Sequence, residues 1–328
     1  MRVLTRSDLE RVLGFESCIA EMRRAMIATS QRRCVLPLRQ FMAVPGRPGK
    51  LGLMPGYLGG EGECFGVKVV SKFERPPGSS HGSHVGAVLL FDAESGLPLA
   101  LLEGGTLTAI RTASMTALAT DTLARVDARR LLIVGTGEEA WYHARALLHA
   151  RPFDEVAIWG RQPERAAALV ARLQPGGEGV FSVAVNLASA CAVADVICTV
   201  TSAKEPILRG EWLPPGVHLN LVGSAIATTA EVDSAAVARG RFFVDYRDAA
   251  LAAAGELLAA IGAGVVTEGH IQAEIGEVLA GTHAGRSDAS DITIYKSLGV
   301  TTQDLAAGWR AWREAEAAGI GRELDLSD

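Results

Sequence analysis

The chain has little cysteine, few aromatic side chains and no long uninterrupted apolar run. Its five cysteines, Cys18, Cys34, Cys64, Cys191 and Cys198, are odd in number and never spaced CxxC. That argues against a disulfide framework or a thiolate zinc site, and they read as buried thiols in a reducing, cytoplasmic compartment. The nearest approach to a membrane span, Ala249 to Val266, is broken by Glu256 and three glycines. The first residues alternate charged and apolar side chains and lack a signal peptide's apolar core. Aromatics are 5% of the chain, net charge is −5, and no basic stripe carries interleaved aromatics, so no nucleic-acid partner is expected. HExxH, clustered carboxylates, GxSxG and GxxxxGK[ST] are all missing, which speaks against a metal centre, a serine nucleophile elbow and a P-loop.

What is present is globular material, 328 residues at 48% hydrophobic and 21% charged, enough for two domains. Ser7 to Thr29 reads as one helix, with apolar residues at helical spacing, Ser7 as N-cap and Glu10 three residues on. Turn residues inside Pro37–Pro55 predict a hairpin. Cys64–Phe73, Val85–Phe91 and Leu99–Glu103 read as strands, with Arg75–Ser83 a loop between the first two. Thr106–Leu123 then reads as a helix, and from there strands and helices alternate. The strands are expected at Arg130–Val134, Glu155–Trp159, Phe181–Val185, Val196–Val200, His218–Val222 and Arg241–Val244, with helices such as Pro163–Leu173 between them. This alternation predicts a parallel sheet covered on both faces, an α/β fold. Ser290 to Glu316 reads as two helices broken at Gly299.

The strongest local motif is LLIVGTGEEA, a strand followed by Gly135-x-Gly137-x-x-Ala140 and a helix. Gly135 allows the tight turn, Gly137 lets a pyrophosphate approach the backbone, and the small Ala140 lets helix and strand pack. Thr136 and Glu138 fall inside the turn, where the N–H groups of the helix start would face phosphate. The next strand ends not in the acid that holds a ribose 2′-hydroxyl but in Gly160, Arg161 and Gln162, with Arg165 a turn later. Arginine suits a 2′-phosphate, which favours NADP(H) over NAD(H), although an exposed arginine at a strand end can equally be a solvated one.

Arg39, Lys68 and Arg111 are cations in apolar surroundings: Lys68 sits among valines and Arg111 in a helix with almost no other charge. Arginine gives bidentate geometry to a carboxylate. On residues alone each reads first as a structural ion-pair member or a snorkelling side chain. His81 and His84 lie in a glycine- and serine-rich loop, where a histidine is either a solvated imidazole or an acid–base group.

The run VGAVLLFDAESGLPLALLEGGTLTAIRTASMTALATDTLA, together with LLIVGTGEEA, ADVICTVTSAKEPIL, LNLVGS and DITIYKSLGVTTQDLAA, resembles the ornithine cyclodeaminase/mu-crystallin family over nearly the whole chain. The resemblance implies a Rossmann domain (116–289) inserted into an α+β substrate-binding and dimerisation domain (1–115 with 290–328), a homodimer, and hydride transfer between NADP(H) and a carbon bearing nitrogen and a carboxylate. It implies that Arg39, Lys68 and Arg111 gather round the substrate carboxylate beside Met54, and that Thr112 lies near the cofactor phosphates. Thr199, Val200, Thr201, Val222 and Gly223 join the candidate cofactor contacts. Lys68 is the expected proton source and His84 its challenger, as in the ketimine reductase branch. The ornithine enzymes carry a Glu where this chain has Gly52 and an Asp where it has Ala225. Losing both acids argues against ornithine and for a small cyclic imine carboxylate. An amino-acid dehydrogenase, a cyclodeaminase with altered acids, and an NADPH- and ligand-binding protein without turnover are the other readings.

Overall fold

The computed structural model of the chain describes residues 1–73, 84–175 and 179–325, with the backbone alone of His84. It divides into two compact units, Met1–Ser114 with Val300–Asp328, and Met115–Gly299.

The first unit is built on an eight-stranded sheet. Gly49–Leu58, Cys64–Phe73, His84–Asp92 and Pro98–Glu103 pair antiparallel in sequence order, and Gln40–Ala43 forms the expected hairpin with Gly49–Leu58. Arg2–Leu4 adds parallel to Pro98–Glu103, so this sheet is not wholly antiparallel. Alternation along the strands splits it into two faces. One buries Met54, Leu58, Val70, Val88, Leu90 and Leu102 under the helices Phe15–Ser30 and Thr301–Ala318. On the other, Leu53, Val67, Val69 and Leu89 are only half-buried, and Phe65, 37% exposed, stacks on Phe91 at 5.1 Å.

The expected single helix from Ser7 is two, Arg6–Val12 and Phe15–Ser30, because the chain leaves helical geometry at Leu13 and restarts with Gly14 as N-cap. The first cap is Thr5 rather than Ser7: its backbone N–H and its hydroxyl both donate to Asp8, at 3.0 and 2.6 Å. Four of the cysteines are buried as expected, but Cys34 is only half-buried. Burial pushes the Cys18, Cys64 and Cys191 thiols up to about 12.

The second unit is an eight-stranded, wholly parallel sheet. Its order is Phe181–Val183, Glu155–Trp159, Arg130–Val134, Val196–Thr199, His218–Leu221, Ile292–Lys296, Gly240–Val244, Ile271–Glu274. From Arg130–Val134 the chain runs outward to one edge and then returns to the other side at Val196–Thr199. That reversal is the switch point at which open parallel sheets bind nucleotides, beyond the carboxyl ends of the strands. Residues 292–296, expected as helix, form a strand, and Ile271–Glu274 is a further strand that was not expected. ITIYK is a β-branched and aromatic run buried on both faces, where apolar periodicity cannot separate strand from helix. The first unit therefore resumes only at Val300, after Gly299 turns with φ +73°.

A buried polar string crosses this second sheet. His218 Nδ1 lies 2.9 Å from the Thr293 hydroxyl and Nε2 lies 3.2 Å from Asn220 Oδ1, while Asn220 Nδ2 donates to Thr120 at 2.8 Å. Burial, then the positive charge of Arg286, pushes the His218 imidazole down from 6.5 to about 3. The unfolded chain thus binds the extra proton between those values, and this group's stabilisation is present above pH 6.5 and lost as pH falls toward 3. Chemical denaturation at pH 7.5 and 5 should show a loss of about 2 kcal/mol from this residue. The variant His218→Gln, which takes up no proton, should lack that part of the loss; an unchanged pH dependence would show the imidazole is not buried neutral.

Candidate functional site

In the first unit, Lys68 sits mid-strand on Cys64–Phe73, opposite Met54 in register, and both are buried. Arg111 comes from the helix Gly104–Leu123, whose first turn is held by the Glu103 carboxylate accepting from the N–H groups of Gly105 and Thr106 at 2.7 and 2.8 Å. The two cations meet on Asp304, in the helix Thr301–Ala318. Asp304 Oδ1 accepts from Lys68 Nζ at 3.2 Å and from Arg111 Nε at 2.8 Å. Arg111 also donates to Gln303 Oε1 at 2.9 Å, and Gln303 Nε2 is 3.3 Å from the Met26 sulfur. Lys68 and Arg111 are each 4% exposed, and Gln303 and Asp304 fully buried.

One carboxylate is set against two buried cations, so the cluster carries surplus positive charge. Asp304 Oδ2 has no hydrogen-bond partner among the described residues, an orphaned acceptor in the same buried cluster. Burial pushes the Asp304 carboxyl up, but Arg111 and Lys68 outweigh it and hold the group below the ordinary range. Burial pushes the Lys68 ammonium down from 10.5 to about 8, with Arg111 and Arg39 adding to the fall and Asp304 opposing it. Arg39 is half-buried, and its charge reaches Lys68, so the structure draws all three sequence-predicted cations into one field. An anion entering it would gain from the forked guanidinium and the ammonium together. Asp304, which orders the pair, was not legible as a site residue: QD in an amphipathic helix carries no spacing signal. At Gly52 a Cβ would lie 3.0 Å from Phe41 Cε1 and Val70 Cγ1, so a side chain there would have to displace one of them slightly.

The other predicted residues fare differently. The Thr112 hydroxyl donates to the Thr108 carbonyl one turn back, at 2.6 Å. His84 opens its strand opposite Lys72, and its side chain, like all of His81, lies outside the described residues. Among the described residues no group of three or more His, Cys, Asp or Glu is placed to hold a metal, and no helix is long and apolar enough to cross a membrane.

In the second unit, Gly135 follows the first strand at φ +141°, a conformation and a space closed to other residues, since a Cβ would lie 2.8 Å from the Val200 carbonyl. Gly137 caps the helix Glu138–Ala150 without a side-chain hydrogen bond, and a Cβ there would meet only open space. Ala140 is fully buried against the sheet. This cradle, with an uncapped helix start over it, fits a dinucleotide pyrophosphate. Gly160 presses on Thr136, where a Cβ would come within 2.5 Å of Cγ2, which places Arg161 beside the turn. Arg161 and Arg165 are exposed, with no carboxylate paired to either among the described residues, and Gln162 is the N-cap of Pro163–Leu173.

Thr199, Val200, Thr201, Val222 and Gly223 form the ends of the two adjoining strands, and a residue absent from the sequence reading binds them together. The buried Glu231 carboxylate accepts from the Thr199 hydroxyl (2.8 Å), the Thr201 N–H and hydroxyl (2.8 Å each) and the Gly223 N–H (2.7 Å). Gly223 lies so close that a Cβ would be 2.1 Å from the Thr201 carbonyl. Behind it, Lys296 forms an ion pair with Glu256 at 3.1 Å, and Glu256 accepts from the Glu231 N–H at 3.1 Å.

The model of the ornithine cyclodeaminase/mu-crystallin family matches residues 2–318. The chain is 32% identical over 327 residues to the Delta(1)-pyrroline-2-carboxylate reductase of Bacillus cereus, covering 99% of this chain and 100% of that one. It is 36% identical over 271 residues to the ketimine reductase mu-crystallin of Mus musculus, 83% of this chain and 82% of that. The solved Delta(1)-pyrroline-2-carboxylate reductase of Thermococcus litoralis, in complex with NADH and L-proline, superimposes with a TM-score of 0.94 at 30% identity, covering 99% and 100%.

The Lys68 shift sets opposite signs for stability and binding. The unfolded chain holds the proton to 10.5 and the folded one only to about 8, so this group's contribution to stability grows as pH rises across that window. Binding of a small carboxylate runs the other way and should weaken as pH passes about 8 and the ammonium is lost. The variant Asp304→Asn removes the charge that favours the ammonium and should move that turning point to lower pH. Titration calorimetry across pH 6.5–9.5 reads it; a turning point unmoved in Asp304→Asn would contradict the coupling.

Proposed function

The chain belongs to the ornithine cyclodeaminase/mu-crystallin family, and from that premise we propose that it reduces a small cyclic imine carboxylate to the amino acid, with NADP(H) favoured over NAD(H). The observation that carries this reading is the buried pair Lys68 and Arg111 sharing the single carboxylate of Asp304. Surplus buried charge costs free energy unless a ligand anion completes it. The named relatives, reductases of pyrroline-2-carboxylate and of ketimines, support a substrate in which carboxylate and imine carbon are adjacent.

Arg111 and Lys68 hold the carboxylate, and Arg39 adds charge from the same field. With the ammonium at about 8, Lys68 is charged at neutral pH yet acidic enough to give up a proton. Lys68 Nζ supplies the proton that the imine nitrogen needs, and the Asp304 carboxylate steadies the charge while it moves. A nicotinamide held in the second unit would supply the hydride, so that imine, proton and hydride balance to the amine. Gly135, Thr136, Gly137 and the first turn from Glu138 would hold the pyrophosphate. Arg161, with Arg165 behind it, would take the 2′-phosphate through its forked donors. Glu231 keeps the Thr199–Thr201 and Val222–Gly223 segments in place beside the switch point. The absence of an acid at Gly52 and Ala225 disfavours the cyclodeaminase reading. The half-buried apolar face of the first sheet, centred on Phe65 and Val67, is the surface we assign to a homodimer, and five free cysteines suit a reducing, cytoplasmic setting.

Purified chain should oxidise NADPH on addition of pyrroline- or piperideine-2-carboxylate, faster than NADH, and sediment as a dimer. Lys68→Met should lower turnover at least a hundredfold, and Arg161→Ala should raise KM for NADPH about tenfold with little change for NADH. Tight NADPH binding without turnover of any imine would instead select a ligand-binding protein.

A further inference from the structure

In the second unit, two buried acids share one buried ammonium at the carboxyl ends of neighbouring strands: Glu231, Glu256 and Lys296, the last residue of Ile292–Lys296. Each oxygen of Glu231 accepts a backbone N–H, Oε1 from Thr201 at 2.8 Å and Oε2 from Gly223 at 2.7 Å, and the Thr201 and Thr199 hydroxyls add one donor each. All four partners donate, which is how an ionised carboxylate is held. Glu256 Oε1 accepts from the Glu231 N–H at 3.1 Å. Glu256 Oε2 faces Lys296 Nζ at 3.1 Å and accepts no hydrogen bond among the described residues. Lys296 also donates to the Ser224 carbonyl, and its charge reaches Glu231. No second cation lies within ion-pair distance of either acid among the described residues. Two carboxylates against one ammonium leave one negative charge buried.

That charge is felt in the strand Val196–Thr199, where burial first, then Glu231 and Glu139, push the Cys198 thiol well above its ordinary value. Its position in the sheet gives it a use. The switch point divides the sheet into two halves, and a dinucleotide spans the crevice with one nucleotide over each half. The glycine turn and Arg161 follow the strands Arg130–Val134 and Glu155–Trp159, which makes theirs the adenosine half. The nicotinamide half then falls to Val196–Thr199 and His218–Leu221, whose ends Glu231 ties together. An oxidised nicotinamide ring carries a positive charge and a reduced one carries none. A fixed negative charge in a water-poor interior tells the two apart.

We propose that the charge held by Glu231 and Glu256 favours the oxidised nicotinamide over the reduced one, and so eases hydride transfer to the imine. This rests on the dinucleotide reading of the second unit. Transfer of a hydride, two electrons with one proton, from the reduced ring to the imine carbon leaves the ring cationic, so the same charge would lower that barrier. Neither acid needs to touch the ring, since Glu231 is already engaged by Thr199, Thr201 and Gly223, and both act through the charge they hold.

The test is calorimetry of the full chain, without any imine, giving Kd for both members of each pair, NADP+ with NADPH and NAD+ with NADH. The variant Glu256→Gln keeps the acceptor for the Glu231 N–H and removes the charge. In the pair that binds, it should raise the ratio of oxidised to reduced Kd roughly fivefold, the scale of one buried charge acting across several ångströms of protein. The variant Glu256→Asp disturbs the packing but keeps the charge, and should leave the ratio at its wild-type value. Circular dichroism checks that each variant folds; should Glu256→Gln not fold, Glu231→Gln reads the same charge. An unchanged ratio in Glu256→Gln, with both affinities falling together, would make the acids structural and overturn the inference while the cofactor reading stands. A shift as large in Glu256→Asp as in Glu256→Gln would overturn it as well. A wild-type chain that binds neither pair would overturn the cofactor reading and this inference with it.

Discussion

A single buried carboxylate, Asp304, holds the first unit's chemistry together. It joins a strand residue, Lys68, to a helix residue, Arg111, and it comes from a third element late in the chain. Removing one partner from a buried ionic cluster leaves the others uncompensated and costs about 3–5 kcal/mol. Tolerating two cations on one carboxylate is therefore a structural liability, which the proposed function relieves with a substrate anion. Burial depresses the lysine, Arg111 adds to the fall and Asp304 opposes it, while one Asp304 oxygen stays without a hydrogen-bond partner among the described residues.

The second unit solves a different problem. It offers phosphate a glycine turn and a helix start, and it must keep the ends of two further strands rigid without filling the crevice. Glu231 does so from below, taking four donors from those ends onto one carboxylate. Burial pushes this carboxyl up, while Lys296 and the hydrogen bonds favour its charged form. Gly223 is needed for the close approach of the two segments, a reason independent of the cofactor.

Much of this was legible in the residues. A lysine among valines, an arginine in an uncharged helix and a glycine turn between strand and helix are local departures from pattern that call for a partner, ionic or ligand, that the local sequence does not name. The strands Cys64–Phe73, Arg130–Val134 and Glu155–Trp159 and the helix Pro163–Leu173 agree with their sequence patterns end for end. The failures share one cause, that local pattern does not see tertiary partners. ITIYK is buried on both sides because it lies inside a parallel sheet, so its alternation was lost. Asp304 and Glu231 look like ordinary helix and loop acids until the chain folds. The break at Leu13 and Gly14 was hidden by apolar spacing that survives it.

The central claim is that the Lys68–Arg111–Asp304 cluster is a carboxylate site. A crystal structure of the chain with a cyclic amino-acid product tests it directly. The account predicts the product carboxylate within hydrogen-bond distance of both the Arg111 guanidinium and Lys68 Nζ, with Asp304 still bridging them. A product carboxylate bound elsewhere, with the cluster undisturbed, would contradict it and leave the two cations as structure alone.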